Sequence, residues 1–290
     1  MTAPDAKGVS GYGAGSVDTV ISVEDVVREV QKIAEDGPKV DELATLADEK
    51  PFLTIDNLCA GYGKMEILHD FNLRAGQGQS LCLIGPNGAG KSTVLHSIFG
   101  FANIFSGTIT TGGAERQDVT ALNSSEKLSS AGIAYILQDK SVFPDMTVEE
   151  NLWMGGYLMP SPADAKRAAE EVFDKYDRLA ARRTHPARVL SGGERRLLEI
   201  SRALVMNPDI LLVDEPSIGL EPRFIDMVFE ILDDLQHGEG KTIIMVEQNA
   251  KKGLEFADIG YVLVSGQLVM ARPGKELLAD PEVGRLFLGG

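Results

Sequence analysis

Apolar and polar positions follow two different rhythms along this chain. FLTIDNLCAGYG (52–63) and EILHDFNLRAGQGQ (66–79) alternate and end in glycine-rich turns, which predicts half-buried strands. SGTITTGG (106–113) predicts an edge hairpin. Short unbroken apolar runs, SLCLIG, GIAYILQ, DILLVD, TIIMVE, YVLVSG and QLVM, predict strands of the core. From Thr147 to Leu204 the spacing is mostly helical, with a capping box at Thr147 and Glu150 and a second start at Ser161-Pro162 with Asp164. A further helix is predicted around Phe224–Leu235. Strands alternating with helices predict an α/β fold with a mainly parallel, doubly wound sheet, into which the all-helical stretch is inserted.

The first fifty residues have a different character. Residues 1–19 are rich in Gly, Ser and Ala, a composition that predicts disorder. SVEDVVREVQKIAEDGP (22–38) predicts an amphipathic helix, with Val23, Val26, Val27, Val30, Ile33 and Ala34 at helical spacing. KVDELATLADEK adds a short second helix. Up to Lys50 there are 11 acidic and 5 basic side chains, so the extension, taken as residues 1–51, is expected to dock on protein. The whole chain of 290 residues is 43% hydrophobic and carries a net charge of −15, which weighs against nucleic acid and anionic lipid as partners. Cys59 and Cys82 are expected as buried free thiols in a reducing cytoplasm. No apolar run is long enough to span a bilayer and the start lacks a secretory core, so membrane work requires another protein as anchor.

The candidate chemistry begins at GPNGAGKST, Gly85 to Thr93, between a predicted strand and a predicted helix. It satisfies the phosphate-loop pattern. Gly85, Pro86, Asn87, Gly88, Ala89 and Gly90 would turn backbone N–H groups toward one anion at a helix N-terminus. Lys91 would reach the β- and γ-phosphates, Ser92 would ligate Mg²⁺, and Thr93 continues the loop into the helix. ILLVDEP (210–216) then delivers Asp214 and Glu215 to the C-terminal edge of the sheet, where such folds bind ligands. Asp214 is the candidate for assisting the metal, and Glu215 the candidate base for the attacking water. Alone, a DE pair is a solvated turn; beside a phosphate loop it is a site.

LSGGERR (190–196) narrows the class. Ser191 and Glu194 form a capping box, while Gly192 and Gly193 bare the helix N-terminus so that an anion can approach. With these motifs in this order, residues 52–290 resemble ATP-binding cassette (ABC) proteins. The resemblance implies a P-loop NTPase fold: a RecA-like core, an antiparallel β subdomain, and an inserted helical subdomain at about 145–205. It also implies that Tyr62 stacks on adenine, and that Gln138 joins Mg²⁺ and the attacking water to a membrane partner. By the same resemblance SIGLEP (217–222) senses a paired subunit, and two ATPs lie between the phosphate loops and opposite signature helices of a head-to-tail dimer.

GYGKMEILHDFNL, VFPDMTVEENL, VDEPSIGLEP, VEQNAKKGLEFAD and LFLGG carry a narrower resemblance, to the ATP-binding subunits of branched-chain (hydrophobic) amino acid importers. Relatives of that type also serve urea, short amides and small organic acids. Such a subunit is expected on the cytoplasmic face of the membrane, held by polytopic permease subunits and served indirectly by a solute-binding protein. In that subfamily glutamine replaces the γ-phosphate-bonding histidine, which assigns Gln248 a catalytic role and implies a heterodimer; a homodimer is the other arrangement. Glu194 for Gln, Leu137 for Pro and the N-terminal extension are departures from the pattern. Phe143, Pro144 and Met146 are expected to line the groove that receives a permease helix. The competing class is a soluble ABC ATPase of DNA repair or translation, disfavoured by the absence of long coiled-coil insertions or a second cassette.

Overall fold

Alternating strands can leave one face of a sheet in water, whereas unbroken apolar runs need cover on both faces. The chain folds accordingly into two sheets. The structure is a computed structural model and describes residues 37–47, 51–112, 115–138 and 141–287. β1 (Pro51–Tyr62), β2 (Met65–Gly76), β4 (Asn103–Thr111) and β5 (Gln117–Asp118) form an antiparallel sheet in the order β2-β1-β4-β5. The edge hairpin is β4 with β5, and its second arm lies beyond the SGTITTGG run.

The buried runs make the second sheet: β3 (Ser80–Ile84), β6 (Ile133–Ile136), β7 (Ile210–Asp214), β8 (Thr242–Val246), β9 (Ile259–Val264) and β10 (Gln267–Pro273). Their order is β10-β9-β3-β8-β7-β6, parallel except for β10. All parallel strands therefore end on one edge, and the loops that leave β3, β6, β7 and β8 there carry the candidate residues.

Eight helices matter for the site. α1 is Val40–Leu46, α2 Lys91–Phe99 and α3 Ser124–Ser129; α4 is Val148–Gly155, α5 Pro162–Lys175, α6 Gly192–Leu204, α7 Pro222–Asp233 and α8 Ala250–Phe256. α2 fills the space between the sheets, where Val94, Leu95 and Ile98 join Leu53, Ile55, Leu81 and Tyr261 in one core. α7 and α8 cover the other face of the parallel sheet through Val228, Leu232 and Leu254. α4, α5 and α6 enclose a core of their own around Leu152, Phe173, Leu197 and Leu198. The caps read from the sequence close the helices: Thr147, Ser161 and Ser191 each accept the third backbone N–H of their helix.

Of the extension, α1 buries Leu43 completely in the main core and Gln79 Nε2 donates to Leu46 O at 3.0 Å, so this part of it packs on the sheets. One expectation changes. Cys82 is buried but Cys59 is only half-buried, since β1 presents it beside Asp70 at a register irregularity; both thiols are free. The helix predicted over 22–36 lies outside the described residues. Among the described residues no helix is long and apolar enough to cross a membrane.

Candidate functional site

β3 stops at Ile84 because Gly85 turns the chain where no side chain fits. A Cβ on Gly85 would stand 2.1 Å from Leu263 O. Gly90, at φ +100°, takes the left-handed conformation that opens α2. Lys91 curls back over this loop, its Nζ donating to Gly85 O at 2.8 Å and Pro86 O at 3.0 Å. Burial holds the ammonium below its ordinary pKa, against the pull of Glu215 and Asp214. Ser92 Oγ donates to Asp214 Oδ1 at 3.3 Å, which brings the loop and the end of β7 together.

Glu215 follows Asp214 in a left-handed conformation, φ +44°, and its N–H donates to Val246 O at 2.8 Å. Gln138 Nε2 donates to Glu215 Oε2 at 3.0 Å, so the loop after β6 meets the loop after β7. Burial raises the Glu215 pKa, and the charges of Asp214 and Glu247 push in the same direction while Lys91 opposes them. A carboxylate so arranged has the character of a general base.

Sequence reasoning missed the groups behind this first layer. Tyr135 on β6 donates its hydroxyl to Asp214 Oδ2 at 2.8 Å and fixes that carboxylate. Glu247, only 2% exposed, accepts from Ser217 Oγ at 2.7 Å and from the N–H groups of Ser217 and Asn249 at 3.3 and 2.9 Å. It ties the SIGLEP loop to the loop bearing Gln248, which is itself exposed at the end of β8. A single glutamate closing an apolar strand was the available signal. Tyr62 ends β1, is 40% exposed, and has its hydroxyl bonded to His96 Nδ1.

The turn Ser191–Gly193 opens α6 in the helical region, beside Leu220 and Phe224. Its two glycines differ. A Cβ on Gly192 would meet only Leu220 Cδ2 at 3.8 Å, so that position is open. A Cβ on Gly193 would lie 2.2 Å from the Phe224 ring, so this glycine is required by packing as well. The hydrogen bond from the Ser191 N–H holds the Glu194 carboxyl below the usual carboxylate pKa range.

A groove lies between the parallel sheet and the helical region. Phe101, Tyr135, Phe143, Met154, Tyr157 and Arg202 line a space of about 350 Å³. Phe143 is 45% exposed, Pro144 is exposed and Met146 is half-buried. Below it Arg196 Nη1 donates to Leu137 O at 2.8 Å and to Glu199 Oε2 at 2.9 Å, joining α6 to the residue before Gln138.

Residues 68–218 match the family profile described as ABC transporter. The high-affinity branched-chain amino acid transport ATP-binding protein of Pseudomonas aeruginosa is 41% identical over 238 residues, 82% of this chain and 100% of its own. The probable branched-chain amino acid transport ATP-binding protein of Archaeoglobus fulgidus is 36% identical, over 80% of this chain and 96% of its own. Among solved structures, a nucleotide-free ATP-binding cassette from an ABC transporter superposes with a TM-score of 0.71 at 28% identity, covering 81% of this chain and 98% of its own.

Proposed function

Since the chain belongs to the ABC transporter family, we propose that it is the ATP-hydrolysing subunit of an importer for branched-chain amino acids or a related small solute. The observation that carries this reading is the Gln138–Glu215 contact at 3.0 Å. It joins a carboxylate suited to activating water to Gln138, whose neighbours Tyr135, Ile136 and Leu137 line the exposed apolar groove. Relatives named as transport proteins favour this over the soluble repair or translation class.

ATP phosphates bind in the Gly85–Thr93 loop, and Lys91 exchanges its bonds to Gly85 O and Pro86 O for phosphate oxygens. The adenine stacks on Tyr62. Ser92 Oγ and Asp214 Oδ1, 3.3 Å apart, are hard oxygen donors, which suits Mg²⁺. Ser92 and Gln138 would hold the metal, assisted by Asp214; when bound, Mg²⁺ neutralises charge on the phosphates. Glu215 takes the proton of the attacking water, and Gln248 donates a neutral hydrogen bond toward the γ-phosphate. Ser191, Gly192 and Gly193 serve the nucleotide of a second cassette, hetero- or homodimeric, arranged head to tail. The open Cβ position at Gly192 supports that role.

The groove at Phe143 is read as the seat of a cytoplasmic helix of the permease, which would hold the subunit at the membrane face. Phe143→Asp should release the subunit from membranes containing its permease while ATP binding is retained. Undiminished membrane association would reject this docking face.

A further inference from the structure

His96 lies on α2, the helix that Lys91 opens, yet it faces Tyr62 rather than the phosphates. Its Nδ1 is hydrogen-bonded to the Tyr62 hydroxyl, and the two rings meet edge to face with centroids 5.9 Å apart. Two other aromatics hold the imidazole in place. Phe101 packs at 5.8 Å and 73°, and Tyr135 at 5.8 Å and 49°. A ring restrained on three sides is a fixed anchor. Tyr62, by contrast, stands at the last residue of a strand with 40% of its surface in solvent, and the next residues form a turn. Without the anchor its ring would turn about its side-chain torsions.

From this geometry we infer that His96 is a positioning residue for nucleotide recognition: it orients the Tyr62 ring and so sets the selectivity of the site for the base. The inference rests on the reading of Tyr62 as the adenine platform. Partial burial keeps His96 below its ordinary pKa, so the neutral imidazole offers one nitrogen as acceptor near neutral pH. Ordering the platform in advance reduces what the nucleotide must order on binding. The same aromatic group reaches the other end of the site, because Tyr135 holds Asp214.

The test compares ATP with inorganic tripolyphosphate, which has the phosphates and no base, by calorimetric titration of the full chain. His96→Phe keeps a ring and removes the hydrogen bond. It should weaken ATP binding about five-fold, as loss of one neutral hydrogen bond does, and leave tripolyphosphate unchanged. Tyr62→Phe should reproduce that loss from the other side with a smaller disturbance. The double variant should be no worse than either single one, because both remove one shared interaction. His96→Asn, whose amide can occupy the Nδ1 position, should recover most of the affinity. Equal weakening of ATP and tripolyphosphate would make His96 a structural residue of α2 and overturn the inference. So would wild-type ATP affinity in both His96→Phe and Tyr62→Phe while Tyr62→Ala binds poorly. If Tyr62→Ala itself leaves ATP binding intact, the platform reading fails, and the inference fails with it.

Discussion

Replacing Arg196 with methionine separates what holds α6 in place from what holds Gln138 in place. Arg196 is 4% exposed and Glu199 8% exposed, and one nitrogen, Nη1, serves both Glu199 and Leu137 O. Methionine fills much of the volume but leaves the buried Glu199 carboxylate without its hydrogen-bonded cation, with only the charge of Arg202 still acting on it, which costs up to about 3–5 kcal/mol. In a domain of this size each kcal/mol lowers the melting temperature by roughly 2–4 °C, so a fall of about 10 °C is expected. A compensating change should recover it. Arg196 Nε and Nη2 are buried without hydrogen-bond partners, so the ion pair is imperfectly satisfied and an apolar pair can match it. Arg196→Met with Glu199→Leu should therefore melt near the wild type. Turnover should not recover, because Leu137 O has lost its donor and Gln138 is the next residue. Calorimetry without nucleotide and steady-state ATPase of the assembled complex measure the two quantities. A single variant that melts within about 2 °C of wild type would refute the energetic argument. A double variant with full turnover would refute the tether to Gln138.

Glu215→Gln should retain ATP but lose turnover by a factor of ~10² or more, the usual loss for a general base; hydrolysis near the wild-type rate would remove Glu215 from that role. Gln248→Ala should cost about 1–3 kcal/mol of transition-state stabilisation, while Gln248→His retains activity. Single-turnover hydrolysis at this subunit's phosphate loop decides it, and an alanine variant as fast as wild type would leave Gln248 a solvated loop residue. Lys127 on α3 is fully buried with Nζ on Ser97 O at 3.3 Å, and burial pushes its pKa down to about 8 from the ordinary 10.5. Between those values the unfolded chain holds a proton that the folded chain has shed, so this group makes stability rise with pH, by up to about 3 kcal/mol. Lys127→Met should lack that rise in denaturant titrations from pH 8 to 10, and equal slopes in the two proteins would refute it.

Much of the site was legible because its chemistry stands at the ends of apolar runs. The run of Leu81 to Ile84 announces the phosphate loop, and Ile210 to Val213 announces Asp214 and Glu215. Capping boxes were legible for a similar reason, since both partners lie three residues apart. The supporting layer was not, because its contacts join distant parts of the chain. Tyr135 and Asp214 are 79 residues apart, Arg196 and Leu137 59, and Tyr62 and His96 34. No local period marks such pairs. α1 was legible as a helix, but seven residues with one fully buried leucine give no sign of where they dock. Gly193 was read for anion access alone, and only the Phe224 ring against it reveals the second demand on that position.

The left-handed backbone at Glu215 sets stability against activity at one residue. At φ +44° a side chain with a Cβ costs about 1–2 kcal/mol, which glycine avoids and asparagine partly avoids. Ranked by folding alone, glutamate is a poor choice there. Directed evolution of this protein for heat resistance, without a screen for hydrolysis, would therefore drive position 215 toward glycine or asparagine. On the reading of Glu215 as the base, the most thermostable clones from such a library would be enriched in cassettes that bind ATP and hydrolyse it poorly.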